Sequence, residues 1–417
     1  MSVSFAIYGL ELMVQVRGIN LDQVNQYVQA IGCMTNNMTE WLTREEALER
    51  LKVRPQTLYA YVSRGRIGMR PDAADPRRSQ YRADDIAALA TRRARGRSPR
   101  AIAESAIDWG EPAFATTIST IQHGGLFYRG KDAVALSGAA TLEETASLLW
   151  AADVPVSFAS PGRHDARESG RGAAFATLAE LAAEGRPSLG RGPATLYRDA
   201  ADAIAALAEA LGAAAGNGAV HERLARGWSV GTAGANLIRR ALVLLADHEL
   251  NASTFATRVA ASTGASVAAC LLAGLATLSG PRHGGAGEAL LNLVEDAERL
   301  GADAAVERWL GHDRPLPGFG HPLYPEGDPR AEALLSDVEI DGCMSCLGDA
   351  VLGATGARPN IDFALAALTR QLRLPPDAPF RLFALGRSVG SAAHAVEQVM
   401  SNRLIRPRAR YDGPVGI

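Results

Sequence analysis

Cysteine, aromatic side chains and long hydrophobic runs are all scarce in this sequence, and each shortage closes off a class of protein. Four cysteines in 417 residues do not make the dense disulfide framework of a small secreted domain, and no charged-then-apolar leader resembles a signal peptide. A reducing, cytoplasmic setting is expected. Cys343 and Cys346 form a lone CxxC without a second pair or suitably spaced histidine. A loop or helix end is therefore expected there, and not metal or redox chemistry. Aromatics are 6% of the chain while alanine abounds, which favours closely packed helices over sheets. The longest apolar stretch, Ala265 to Leu278, is broken by Ser266 and Thr277, so it reads as a buried helix and not as a membrane span. The expected fold is mainly α, in two or three compact units.

Charge is unevenly spread behind a net value of −2. Glu40 to Arg100 holds 15 Lys plus Arg against 8 Asp plus Glu, about +7, while the chain beyond Ala101 is about −8. A basic module thus precedes an acidic body. Residues 1–38 lack a clear period and are expected to be a disordered leader, with Met34 and Met38 as alternative starts. Within residues 39–91, Thr43 with Glu46 predicts a capping box, followed by an apolar face of Ala47, Leu48 and Leu51 ending near Lys52. A second helix begins at Pro55, runs through Leu58, Tyr59 and Val62, and stops at Gly65. Ile67 to Arg70 and Ser79 to Arg82 read as a small β-wing before a helix opened by Asp84. Residues 92–110, with Gly96, Ser98 and Pro99 among arginines, form the linker.

The stretch LTREEALERLKVRPQTLYAYVSRGRIGMR with SQYRADDIAAL resembles the winged helix-turn-helix of MerR-like regulators and excisionases. That resemblance implies a recognition helix started or flanked by Gln56, Thr57, Tyr59 and Tyr61, with Arg64, Arg66, Arg77 and Arg78 meeting DNA phosphates. The other reading is a module for dimerisation or regulation whose arginines are simply solvated.

In the body, residues 155–220 read as scaffold. Chemistry gathers around three of the eight histidines: His248 in LLADHELNASTF, His283 in SGPRHGGAGEAL and His321 in PGFGHPLYPEGDPRA. Glycines beside the last two let a ligand approach the backbone and permit unusual dihedrals. HGGAG lacks the Lys-Ser/Thr tail of a P-loop. Asp362 in RPNIDFALAAL adds a carboxylate, and Arg330, Arg387 and Arg406 suit a dicarboxylate that is oriented and neutralised by guanidinium groups.

In order, these segments resemble the citrate synthase and 2-methylcitrate synthase family. The likeness is densest from Ala241 to Glu288, Pro317 to Ala331, Arg358 to Phe363 and Phe383 to Arg410, with an echo at Gly124 to Gly130. It implies a large helical domain of residues 111–283 and 375–417 and a small one of residues 284–374, closing over substrate with Gly284, Gly285 and Gly287 as hinge positions. It also implies condensation of acetyl-CoA or propionyl-CoA with oxaloacetate and water, releasing CoA and giving citrate or 2-methylcitrate. Asp362 matches the general base, His283 the donor to the thioester oxygen, and His321 the acid at the oxaloacetate carbonyl. His248, Arg330 and Arg387 match dicarboxylate-binding groups, and Arg406 an arginine lent across a homodimer. No cofactor or metal is implied, since the CoA thioester is a substrate.

Three departures stand out. Pro322, Pro325 and Glu326 occupy a run where the family carries basic residues for CoA phosphates, leaving Arg129, Lys131 or Arg282 to compensate. Arg282 itself takes a normally apolar position. Ser391 replaces a commonly aromatic residue and would widen the floor of the site. Two competing readings are a DNA-binding regulator that uses the helical body as a metabolite sensor and an interaction protein with structural histidines.

Overall fold

The computed structural model describes residues 2–7, 10–15, most of 41–89, 114–159, 162, 169–284, 286–311, 316–409 and 413. It divides into two compact units, residues 1–113 and 114–417.

In the first unit, β1 (Ser2–Ile7) pairs antiparallel with β2 (Leu10–Gln15). Regular structure therefore enters the leader that was expected to lack it. The cue is the alternation of Val3, Phe5 and Ile7 with Ser2, Ser4 and Ala6, a two-residue period too short to stand out beside helical patterns. Residues 16–40 lie outside the described part, as does the linker of residues 92–110. Strand β3 (Trp41–Leu42) leads into α1 (Arg44–Leu51), whose Thr43 cap accepts from the Glu46 N–H at 3.3 Å while Glu46 returns to the Thr43 N–H at 2.8 Å. Lys52 ends the helix in a left-handed conformation. Helix α2 (Pro55–Ser63) follows, then β4 (Met69–Pro71) and β5 (Ser79–Arg82). The sheet order β3-β5-β4 adds Trp41–Leu42 as a third strand that sequence reasoning missed. Leu42, Ala47, Leu51, Leu58, Ile67, Tyr81 and Ile86 form its core.

The second unit opens with an antiparallel meander of β6 (Ser119–Gln122), β7 (Gly125–Tyr128) and β8 (Lys131–Asp132). His123 and Gly124 join the first two strands, both at positive φ, which matches the right-handed twist of a two-residue hairpin. Helices account for the rest. The scaffold stretch supplies α5 (Arg171–Glu184) and α6 (Pro193–Ala210), after the short α3 (Ala133–Ser137) and α4 (Leu142–Leu149). Then come α7 (Val220–Gly227), α8 (Thr232–Leu245), α9 (Ala252–Ser262) and α10 (Val267–Leu278). The apolar run is indeed a buried helix, and Ser266 caps its start instead of interrupting it.

Beyond the turn at His283 lie α11 (Ala286–Leu300), α12 (Ala302–Leu310), α13 (Pro329–Leu335), α14 (Gly342–Thr355) and α15 (Ile361–Leu372). Helix α11 packs on α12, α14 and α15. Cys343 and Cys346 are free thiols in the first turns of α14. The axis of the unit is α16 (Ala378–Ser401), 24 residues and buried along most of its length against α6, α8, α9 and α10. A helix can be covered on all sides only if its neighbours come close. Gly386 and Gly390 allow this: a Cβ at Gly386 would lie 3.0 Å from the Leu242 carbonyl, and one at Gly390 would collide with Ala246 and Asp247. Among the described residues no helix is long and apolar enough to cross a membrane.

Candidate active site

Three loops and two helices bring the candidate residues together. His248 sits on the turn after α8, His321 on the Gly-rich turn before α13, His283 on the turn before α11, Asp362 in the first turn of α15 and Arg387 within α16. The ring centroids of His248 and His321 are 5.1 Å apart. Tyr324, which sequence reasoning overlooked, ties them: its hydroxyl is 3.0 Å from His248 Nε2 and its ring 5.0 Å from that of His321. The ring of His283 packs edge-on against Phe383 at 6.1 Å, and the Arg387 guanidinium lies over the same phenyl at 5.1 Å. The two clusters lie close enough for the charges of Arg330, Arg387, His321 and His283 to act on His248.

Local folding explains their attitudes. Gly318 and Gly320, at φ of 84° and 68°, let the chain turn sharply on either side of Phe319 and deliver His321. His321 Nδ1 accepts the Leu323 N–H at 3.1 Å, which leaves its proton on Nε2. Gly284 works differently from the expected unusual dihedral: its φ is not positive, and a Cβ there would approach Leu278 within 2.8 Å, so close packing is what it serves. Gly287 faces Pro379, and Gly285 lies outside the described residues. Ser253, a second overlooked residue, bridges His283 Nε2 at 2.9 Å and Asn251 Oδ1 at 2.7 Å.

The electrostatics follow from burial next to cations. Burial, helped by Arg330 and Arg387, holds His248 well below the usual imidazole range. Burial pushes His283 down to about 4, with Arg387 adding to it, and His321 to about 4, with Arg330 adding. All three imidazoles are thus uncharged at neutral pH. Asp362 moves the other way. Burial pushes its carboxyl up to about 6 against the pull of Arg330. A carboxylate with this pKa is a base matched to neutral solution.

The arginines divide into two kinds. Arg330 is buried and forks onto Asp328, with Nε–Oδ1 at 2.9 Å and Nη2–Oδ2 at 2.8 Å. Its counter-ion Asp328 also accepts the Ile361 N–H at 3.1 Å. Arg387 is the opposite case. Its Nε donates to the Leu245 carbonyl at 3.1 Å, while its buried Nη2 has no hydrogen-bond partner among the described residues. A buried guanidinium edge without an acceptor is a site prepared for an anion. Arg406 takes no part in these contacts; it lies exposed in the irregular stretch after α16.

Of the residues suggested for CoA phosphates, Arg129 is committed to the body, donating to the Leu149 carbonyl at 2.9 Å and Thr117 Oγ1 at 3.1 Å. Lys131 and Arg282 are exposed, as are Pro322, Pro325 and Glu326. Ser391 is buried and, with Gly274, Ser253 and Arg387, lines a cavity of about 20 Å³. In the basic module Tyr59 and Arg78 are exposed, and Arg78 lies 3.5 Å from Asp75. Arg64, Arg66 and Arg77 lie outside the described residues, Gln56 is placed only as part of α2, and Thr57 is half-buried in that helix.

Fold and site together define a helical protein that gathers uncharged imidazoles near the buried guanidinium groups of Arg330 and Arg387. The family described as "Citrate synthase, C-terminal domain" matches residues 200–408, half of the sequence. The chain belongs to the citrate synthase family. Citrate synthase 2 of Bacillus subtilis is 39% identical over 186 residues, 42% of this chain and 50% of that protein. The 2-methylcitrate synthase 2 of Corynebacterium glutamicum is 34% identical over 187 residues, 42% of this chain and 48% of that protein. The chain thus spans about half the length of these curated relatives. Among solved structures, citrate synthase from Thermoplasma acidophilum, in a ternary complex with carboxymethyl coenzyme A and oxaloacetate, superposes with a TM-score of 0.60 at 27% identity. The match covers 73% of this chain and 95% of that one.

Proposed function

We propose that this protein condenses an acyl-CoA, acetyl or propionyl, with oxaloacetate and releases citrate or 2-methylcitrate and CoA. The observation that carries the proposal is the gathering of three uncharged imidazoles with Arg387, whose buried Nη2 has no hydrogen-bond partner among the described residues, while Asp362, a base with pKa about 6, stands in the field of Arg330. Asp362 removes a proton from the carbon beside the thioester. That carbon acid is too weak for a carboxylate alone, so a fixed donor must meet the developing oxyanion. His283 fills this role. Ser253, 2.9 Å from Nε2, holds the ring, and a proton on Nδ1 serves the thioester oxygen once that hydroxyl turns its single proton from Asn251 Oδ1 to Nε2. His321, with its proton on Nε2, polarises and then protonates the oxaloacetate carbonyl. His248, Arg387 and Arg330 hold the carboxylates, with Arg406 lent by the second copy in a homodimer. Hydrolysis of the condensed thioester makes the sequence irreversible. No step calls for a cofactor or metal.

Closure of residues 284–374 over the body would protect the enolate from water. Thiol release from acetyl-CoA and propionyl-CoA with oxaloacetate tests the assignment. The intact chain is expected to release thiol, and Asp362→Asn to lose 10²-fold or more, about the least that a positioned base supplies. Equal release from both chains would remove Asp362 as the base.

For the first unit, the two short helices followed by strands β4 and β5 support a winged helix-turn-helix that binds DNA through α2 and the arginines around it. The comparisons lend no support to the competing reading of the whole chain as a metabolite-sensing regulator. Retention of the protein on DNA at low salt, against a heparin control, decides whether this module touches phosphates.

A further inference from the structure

The turn that bears His248 is anchored by a buried network that the chemistry above does not use. Asp247, next to His248, is fully buried, and its Oδ2 accepts from the Ser119 hydroxyl and from His394 Nε2, the latter at 3.3 Å. His394 is buried in turn. Its Nδ1 accepts from Arg258 Nη1 at 2.9 Å, and Arg258 is fixed by Glu397 at 2.7 Å and Gln398 at 3.0 Å. On the other flank of His248, the Glu249 N–H donates to the same Ser119 hydroxyl at 3.1 Å, and the Glu249 carboxylate accepts from the Ile121 N–H. The turn is therefore pinned to β6 on both sides of the histidine.

Two features go beyond simple anchoring. Arg387, Gly390 and His394 follow one another along α16, and an interval of seven residues returns Arg387 and His394 to one face. Asp247 meets this face where Gly390 removes the side chain, and the Gly390 N–H donates to the Ala246 carbonyl at 3.0 Å. Second, the Asp247 Oδ1 has no hydrogen-bond partner among the described residues although it is buried. A purely structural brace gains nothing from a desolvated oxygen left unpaired, whereas a negative charge that favours the charged form of the buried Arg387 does.

We infer that Asp247, held by Ser119 and His394, is a positioning residue for oxaloacetate: it fixes the turn bearing His248 and supplies the buried counter-charge of Arg387. The inference rests on the proposed condensation. Without Asp247 the guanidinium loses its compensating charge and the turn loses its anchor, so the dicarboxylate pocket degrades while the acyl-CoA side is left intact.

Calorimetric titration of oxaloacetate into the whole protein, with no acyl-CoA present, tests it alongside steady-state kinetics. Asp247→Asn is expected to weaken oxaloacetate binding about tenfold or more, equivalent to about 1.4 kcal/mol. KM for oxaloacetate should rise in step, while KM for acyl-CoA at saturating oxaloacetate changes less than about threefold. Ser119→Ala, a milder lesion at the end of the network, should weaken binding about threefold and decides the matter if Asp247→Asn does not fold. A variant that is folded, melts earlier and binds oxaloacetate as the parent does would show the network to be a brace only, and the inference falls. A parent chain that binds no oxaloacetate would remove the proposed function and this inference together.

Discussion

With its carboxyl pushed up to about 6 by burial, Asp362 weighs on the stability of the fold, as the base proposed for it would. A carboxyl that binds its proton more tightly when folded favours the native state at low pH. That advantage is fully present below the unfolded value near 4 and is lost as pH rises through about 6. Above pH 7 the loss is at most about 3 kcal/mol. Asp362→Asn should therefore melt at a higher temperature than the parent at pH 7.5 while failing to turn over, a pairing that calorimetry and a thiol assay read directly. The buried histidines have the opposite sign. His283 and His321, held at about 4, contribute stability that is fully present above pH 6.5 and disappears as pH falls towards 4, and His248 adds to this. Three imidazoles outweigh one carboxyl, so urea midpoints should fall between pH 7 and pH 5. Catalysis should track Asp362 in the same interval: kcat/KM is expected to level off above pH 7 and drop to about one-tenth at pH 5.

Helix α16 places Arg387 and His394 through its glycines, and this sets the cost of altering them. Gly390→Ala would drive a methyl into the Ala246 carbonyl and the Asp247 carboxylate. Overpacking of this kind costs about 1 to 3 kcal/mol. Denaturant unfolding should show that loss together with weakened oxaloacetate binding, whereas Gly342→Ala, in open space at the start of α14, should change neither. Much at this scale could be read from the sequence. The Thr43–Glu46 box, the start at Pro55 and the buried run ending at Leu278 each rest on interactions a few residues apart, which pattern alone specifies. The histidines, Asp362 and Arg387 were also legible, because glycine-rich surroundings and a family likeness mark them. Asp328, Tyr324 and Ser253 were not. Their roles depend on side chains meeting across turns, and nothing in DPR, PLY or NAS announces which way each will face. The hairpin of β1 and β2 escaped notice for another reason: six-residue alternations arise easily by chance.

Two units in one chain imply two separable properties. A protein beginning at Phe114 keeps every contact described around the cleft, and it should retain thiol-releasing activity within about threefold of the full chain. If the basic front binds DNA, the truncated form should pass through a DNA column that holds the full chain, and retention should weaken steeply with salt. The charge asymmetry that foretold this division was plain in the sequence, whereas the third strand of the front sheet, only two residues long, carried no recognisable pattern. The pairing of Arg330 with Asp328 has a final consequence for the proposed homodimer. With that cation paired from within and Arg387 acted on by the charge of Asp247, the proposed mechanism leaves a doubly negative guest short of positive charge in a solitary subunit, and Arg406 of a second copy would supply it. Specific activity should then collapse on dilution below the dissociation constant of the pair, and mixing inactive Arg406→Ala subunits with inactive Asp362→Asn subunits should regenerate up to about a quarter of the original rate, through mixed pairs in which one cleft receives both wild-type groups.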